Sequence, residues 1–243
     1  MILPNILLLL TLMALVWFLK GDLLGYRRIK RLPDTASRQK TYRLWIAKAA
    51  IAFVLPAIVG LAVLGRLDAL ATVPPEFDDL RTLLPRFEGD SQAFVFGMMG
   101  GGALVGLAIG AFLATRRNWR VLKPIGNVGS LLPRNRPEIA HAAAMSIAAG
   151  VAEELVFRLF LPLLIVLISG NAIVAFGIAV GLFGAMHRYQ GWAGVIATTV
   201  VGALMAAIYL MTGSLWLAMA MHALIDLNSL VLRPMLTGAW GAA

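Results

Sequence analysis

Beyond position 138 the chain carries six charged side chains, Glu153, Glu154, Arg158, Arg188, Asp226 and Arg233, together with all three of its histidines, His141, His187 and His222. Glu153, Glu154, Arg158 and Asp226 fall inside long apolar runs. An ionisable group at the centre of a bilayer costs at least about 2.5–3.5 kcal/mol, so such residues mark candidate functional sites. Spacing groups them further. Residues four apart share one face of a helix, and Glu154 with Arg158, Phe183 with His187, and His222 with Asp226 each stand at that interval.

Glu154 and Arg158 have a structural reading as an ion pair in which each neutralises the other. Glu153 then remains, about 100° around the helix from Glu154, and it needs a partner from another segment. A carboxylate held away from bulk water is a competent general base. Glu153 and His187 can together hold and deprotonate a water. His222, oriented by Asp226, can donate a hydrogen bond to an oxyanion. Those parts suffice for amide hydrolysis without a Ser or Cys nucleophile. The alternative for His222 and Asp226 is an interhelical hydrogen bond with no chemical role. His141, at the start of its apolar run beside a basic stretch, is read as interfacial and outside the site. The acids Glu76, Asp78 and Asp79 are read as a solvated loop face.

The elements that must position these groups are membrane helices. Of 243 residues, 60% are hydrophobic and 14% charged, and mean hydropathy is +0.84, well outside the composition of soluble domains. With no cysteine, disulfides and thiolate chemistry are excluded. Apolar runs near 2–19, 47–65, 93–114, 139–168, 171–187, 193–211 and 215–232 are each close to the length needed to cross the hydrocarbon. The first lacks a basic region before it and has Lys20 after it, so it is read as a retained span. The run 139–168 is too long for one perpendicular span and must tilt, break or divide, with Pro162 as a kink. The predicted fold is therefore all-α, a polytopic transmembrane bundle of seven or eight spans. The glycines 97, 101, 102, 106 and 110 recur at intervals near four with no strand before them, which predicts close helix packing rather than a phosphate loop.

A net charge of +9 raises nucleic acid as a partner, but its placement argues otherwise. From Lys20 to Lys48 there are nine Lys or Arg against two Asp, and from Arg116 to Glu138 six against one Glu; between them the stretch 66–90 is acidic. Basic stretches flanking apolar spans read as cytoplasmic loops facing anionic headgroups. Membrane lipids are thus expected partners and nucleic acid is not. The N-terminus and the acidic loop are then expected outside, and Arg188 and Arg233 inside in a seven-span count.

In order along the chain, Glu153–Arg158 reads EExxxR, Phe183–His187 (FGAMH) reads FxxxH and His222–Asp226 (HALID) reads HxxxN/D. These three strings, with RYQGWAG at 188–194 and the stretch 211–227, resemble the CPBP family, the CAAX-protease and bacteriocin-processing (Abi) membrane proteins. The resemblance covers about 139–232 and divides the chain into an N-terminal membrane region (1–138), a catalytic core (139–232) and a short tail (233–243). It implies an intramembrane endopeptidase acting on a membrane-associated or prenylated peptide, in an integral multi-pass protein of a bacterial plasma membrane. By motif, Glu153 and His187 would activate water, His222 and Asp226 would support the oxyanion, and Arg158 would brace Glu154. Members with CAAX processing typically have Asn at the last position, so Asp226 is protonated, orients His222 or binds something else. Family proteins have also been labelled metalloproteases. Glu153, His187, His222 and Asp226 form a ligand set zinc accepts, although no helix pairs two His as in HExxH, and a metal-free glutamate mechanism is preferred.

Two other classes remain open: a non-catalytic immunity or scaffold protein of the same fold, and a proton-coupled transporter. An extra Glu153 is superfluous to a scaffold. Transport lacks support from inverted repeats.

Overall fold

The computed structural model describes residues 2–87, 97, 126–232, 234 and 235. Those residues form helices and turns, with no strand among them. Helix α1 runs Ile2–Ile29 and α2 runs Thr35–Ala49. A π-helical segment, Ala50–Val54, carries α2 into α3, Leu55–Val63. Short turns and α4 (Asp78–Arg81) follow. The second half holds α5 (Arg136–Glu154), a π-helical segment Leu155–Phe160, α6 (Leu161–Ser169), α7 (Ala172–Met186), α8 (Gly191–Thr212) and α9 (Leu215–Leu227), which ends in a third π-helical segment, Asn228–Leu232.

The solvent logic of the molecule is inverted. Large aliphatic and aromatic side chains such as Leu9, Met13, Trp17, Ile196, Val200 and Trp216 stand on the outside, each more than half exposed, while Arg38, Glu138, Glu154 and Arg158 are at most 1% exposed. In water this arrangement would be unstable; in lipid the exposed apolar surface carries no penalty and the charges are enclosed by protein. Four helical stretches, Ile2–Ile29, Thr35–Val63, Arg188–Thr212 and Leu215–Leu232, are long and apolar enough to cross a bilayer, and Ala172–Met186 is a shorter apolar helix. The chain is an integral membrane protein of helical class. Apart from residue 97, the expected span at 93–114 and its glycine pattern lie outside the described residues, as do residues 116–125 of the second basic stretch and most of the tail.

The run 139–168 neither breaks nor divides: Arg136 to Ser169 is one helical path through α5, the π-helical segment and α6. Each of the three π-helical segments ends two residues before a proline, Pro56, Pro162 or Pro234. A proline inside a helix lacks an N–H and crowds the carbonyl one turn back. Widening the preceding turn relieves both. At Leu161 the amide reaches Val156 O, and at Leu55 it reaches Ala50 O, each five residues back.

The basic stretch 20–48 is not a loop. It is mostly helix, interrupted only around residues 30–34, because Lys and Arg are good helix formers. Asp34 caps α2 by accepting from Ser37 N at 2.7 Å. Hydrogen bonds from Ser37 hold the Asp34 carboxyl below its usual range. Nor do all the basic residues face headgroups. Arg38 Nε donates to Glu138 Oε2 at 2.9 Å, and its other nitrogens reach Ile29 O, Ser130 O, Leu132 O and Tyr42 Oη. This knot ties the start of α2 to the start of α5 and to the 130–132 turn.

The core joins both halves of the chain. Phe53 meets Phe157 at 6.4 Å between ring centroids, and Phe77 meets Phe176 at 5.0 Å. Helices α5 and α9 pack closely because Gly150 has no side chain. A Cβ there would stand 2.8 Å from Ala223 N and 2.9 Å from Met219 O. That approach brings His222 against the Glu153–Glu154 pair.

Candidate active site

Glu154 sits at the end of α5 and Arg158 within the adjoining π-helical segment, and they form the expected ion pair. Arg158 Nε is 2.8 Å from Glu154 Oε2 and its Nη2 donates to Oε1 at 3.0 Å, both side chains fully enclosed. The guanidinium also lies 4.7 Å above the centre of the Phe183 ring. Phe183, on α7, is a platform for the site: its ring centroid is 4.9 Å from that of His187 and 5.8 Å from that of His222. It fits because Gly202 of α8 leaves room for it; a Cβ at Gly202 would fall 2.8 Å from the ring.

Glu154 has a second partner. Its Oε1 stands 2.8 Å from His222 Nδ1. Since Arg158 Nη2 donates to Oε1 and its Nε pairs with Oε2, Glu154 is held as a carboxylate and acts as acceptor, and Nδ1 of His222 carries the proton. His187 Nδ1 lies 2.9 Å from Phe183 O. A carbonyl only accepts, so that nitrogen is protonated as well. Both imidazoles are therefore fixed through Nδ1, and both turn Nε2 the same way.

They turn it toward Glu153. Its Oε2 is 3.8 Å from His187 Nε2 and 4.0 Å from His222 Nε2, and this buried oxygen has no hydrogen-bond partner among the described residues. Those separations exceed a direct hydrogen bond and match the span across which one water contacts both groups. Asp226 Oδ2 is 3.8 Å from the same His222 Nε2, again beyond hydrogen-bond length. The hydrogen bond that fixes His222 thus comes from Glu154 on another helix, and Asp226 faces the open side of the ring. The structure brings together Glu153, Glu154, Arg158, His187, His222 and Asp226. His141 lies apart, 3.1 Å from Arg43 Nη1.

Glu153, His187, His222 and Asp226 border a cavity of about 390 Å³, within the usual range for ligand sites. Its polar wall comprises Glu153, His187, Tyr189, His222 and Asp226, with Ser146 and Ser229. The N-terminal half adds Phe18, Trp45, Ile46, Ala49 and Phe53 to an apolar lining that otherwise comes from the second half, with Met145, Phe157, Phe183, Met186 and Ile225 among it. Asp22 of α1 joins them. Asp22 and Tyr189 were not among the expected site residues. A first span ending at residue 19 leaves Asp22 outside the membrane, whereas α1 continues to Ile29. The signal was the i, i+4, i+8 face Phe18, Asp22, Tyr26.

Zinc fixes the spacing of its ligands. Tetrahedral ligands at about 2.0–2.1 Å from the metal stand closer to one another than the 3.8 and 4.0 Å separations here. Among the described residues no three His, Asp or Glu form a metal-holding group.

No curated protein and no solved structure matches the chain. Residues 135–228 match the family model described as type II CAAX prenyl endopeptidase Rce1-like, so the segment carrying all six of the converging residues is similar to that protease family.

Proposed function

We propose that the protein is an intramembrane endopeptidase that cleaves a membrane-associated peptide with water activated by Glu153 and His187. The observation that carries this reading is the buried Glu153 Oε2, without a hydrogen-bond partner among the described residues and faced at 3.8 and 4.0 Å by two fixed imidazole nitrogens. In the proposed step, water bound between Glu153 and His187 loses a proton to Glu153 as its oxygen attacks the scissile carbonyl carbon. The carbonyl oxygen gains the negative charge and accepts a hydrogen bond from Nε2–H of doubly protonated His222. Collapse breaks the C–N bond, and Glu153 returns the proton to the leaving nitrogen. Glu154 and Arg158 position His222 and the end of α5. Asp226 limits the swing of His222 and balances its charge. The apolar wall from α1 and α2 accommodates the lipid-facing part of the substrate, a prenyl chain or apolar residues of a leader or C-terminal tail.

The mechanism is proposed to run on side chains alone. Purified protein is to be assayed on lipidated and prenylated peptides beside Glu153→Ala and His187→Ala. The expected outcome is loss of cleavage by about 10²–10⁴-fold in each variant with the fold retained, and wild-type activity that survives chelation. Processing at wild-type rates by both variants overturns the protease reading. Loss on chelation with recovery on adding zinc overturns the metal-free mechanism.

A further inference from the structure

We propose that Asp22 forms a cation subsite of the cavity, so that the preferred substrate presents a Lys or Arg side chain near the scissile bond. The inference rests on the protease reading for the word substrate and adds a selectivity that the three motifs do not contain.

The face of α1 that carries Asp22 is held toward the cavity on both sides. One turn before it, Phe18 lines the cavity and packs against Phe53 at 4.5 Å between centroids. One turn after it, Tyr26 stacks on Tyr189 at 5.3 Å and its hydroxyl donates to Asn127 O. Asp22 lies between those anchors and lines the same cavity as Glu153 and His187. A carboxylate inside a span needs a counterpart. Lys48 attracts Asp22 from beyond ion-pair distance, its ammonium standing over the Trp17 ring at 5.9 Å. Among the described residues no Lys, Arg or His nitrogen comes within 4.0 Å of the Asp22 carboxylate.

The charge inventory points the same way. The described lining residues include three carboxylates, Asp22, Glu153 and Asp226, and no Lys or Arg. Even with His222 doubly protonated as in the proposed step, three carboxylates leave that lining net negative, which disfavours a free C-terminal carboxylate and attracts a cation. Trp45 and Tyr189, which also line the cavity, add ring faces that attract an ammonium or guanidinium. Glu153 serves as base and Asp226 faces His222, which leaves Asp22 as the carboxylate free to bind the incoming charge.

The test uses lipidated peptides in which a single Lys is scanned through a neutral sequence, with Gln or Glu at the same position for comparison. Wild-type protein is expected to favour Lys over Gln at one position by about tenfold or more in kcat/KM, expressed in KM. Asp22→Asn brings that ratio close to one and Asp22→Lys turns the preference toward Glu. Asp68→Asn, on the exposed outer turn, keeps the wild-type ratio. The same peptides are titrated by fluorescence anisotropy into Glu153→Gln protein with and without Asp22→Asn, which reads the subsite without cleavage. A Lys preference that persists in Asp22→Asn, or equal binding of the Lys, Gln and Glu series by Glu153→Gln, overturns the subsite. Asp22-dependent binding with no cleavage by wild type upholds the subsite and overturns the protease. Cleavage without charge preference does the reverse.

Discussion

His222 Nδ1 and Glu154 Oε1 meet at 2.8 Å across two helices, so Glu154 answers both to Arg158 on its own helical path and to the ring that faces the cavity. Glu154→Gln breaks the pair and leaves Arg158 charged and enclosed. The expected cost is about 3–5 kcal/mol of stability, with cleavage lost as His222 is released. Glu153→Gln is expected to melt at or above the wild-type temperature while losing cleavage, because its Oε2 stabilises no other group. Thermal melts in detergent beside peptide cleavage separate the two glutamates. Equal destabilisation by both would refute the division of labour between them.

Gly150 sets how near α9 comes to α5. Gly150→Leu places atoms where Ala223 N and Met219 O stand, so α9 must move and His222 with it. A lower melting temperature and a fall in cleavage of about tenfold or more are expected, since small displacements of reacting groups cost at least that much. Gly177 is the contrast, because a Cβ there meets nothing within 4 Å. Gly177→Ala should raise stability by roughly 0.5–1 kcal/mol and leave cleavage unchanged.

The knot around Arg38 is predicted to resist repair. Arg38→Met strands Glu138 and costs about 3–5 kcal/mol; a buried pair replaced as a whole usually recovers most of that. Here Arg38 also serves the carbonyls of Ile29, Ser130 and Leu132, which Arg38→Met with Glu138→Leu leaves unsatisfied. The double variant should therefore recover only part of the loss. Chemical denaturation of the three variants measures it, and full recovery would show that the carbonyl contacts carry no weight.

In the turns after α3, Arg66 donates to both oxygens of Glu76 at 2.5 and 2.8 Å, and that hydrogen bonding holds the Glu76 carboxyl below its ordinary value of 4.5. A carboxyl whose folded value is depressed stabilises the protein above its unfolded value, and the contribution is lost as pH falls through the folded one. The pair is partly exposed, so its worth is about 1 kcal/mol or less. Glu76→Gln should flatten the pH dependence of the melting temperature below 4.5 and leave it unchanged near neutrality. An unaltered acid limb would remove Glu76 from the account.

The spacing rules read the site well where partners share a helix and poorly where they do not. Glu154 with Arg158 was legible because four residues make one turn. The ring contacts of Phe183 and the Glu154–His222 hydrogen bond were not, because they depend on how α5, α7 and α9 approach one another, and that is set by Gly150 and Gly202 through close packing rather than by periodicity. Helix ends were misplaced for a related reason. Charge at residues 20–48 signalled a loop, yet basic residues extend helices as readily as they leave a bilayer, and Arg38 found an acid a hundred residues away. The continuity of 136–169 was hidden by Pro162, whose clash the wider π turn absorbs.

The cavity is built from two inheritances. Its reactive groups all belong to the segment 135–228, but Phe18, Asp22, Trp45 and Phe53 on the facing wall belong to helices before it. Chains that share the three motifs and differ in their first two helices would keep one reaction and acquire different diets, and grafting α1 and α2 between such chains should transfer appetite without transferring chemistry.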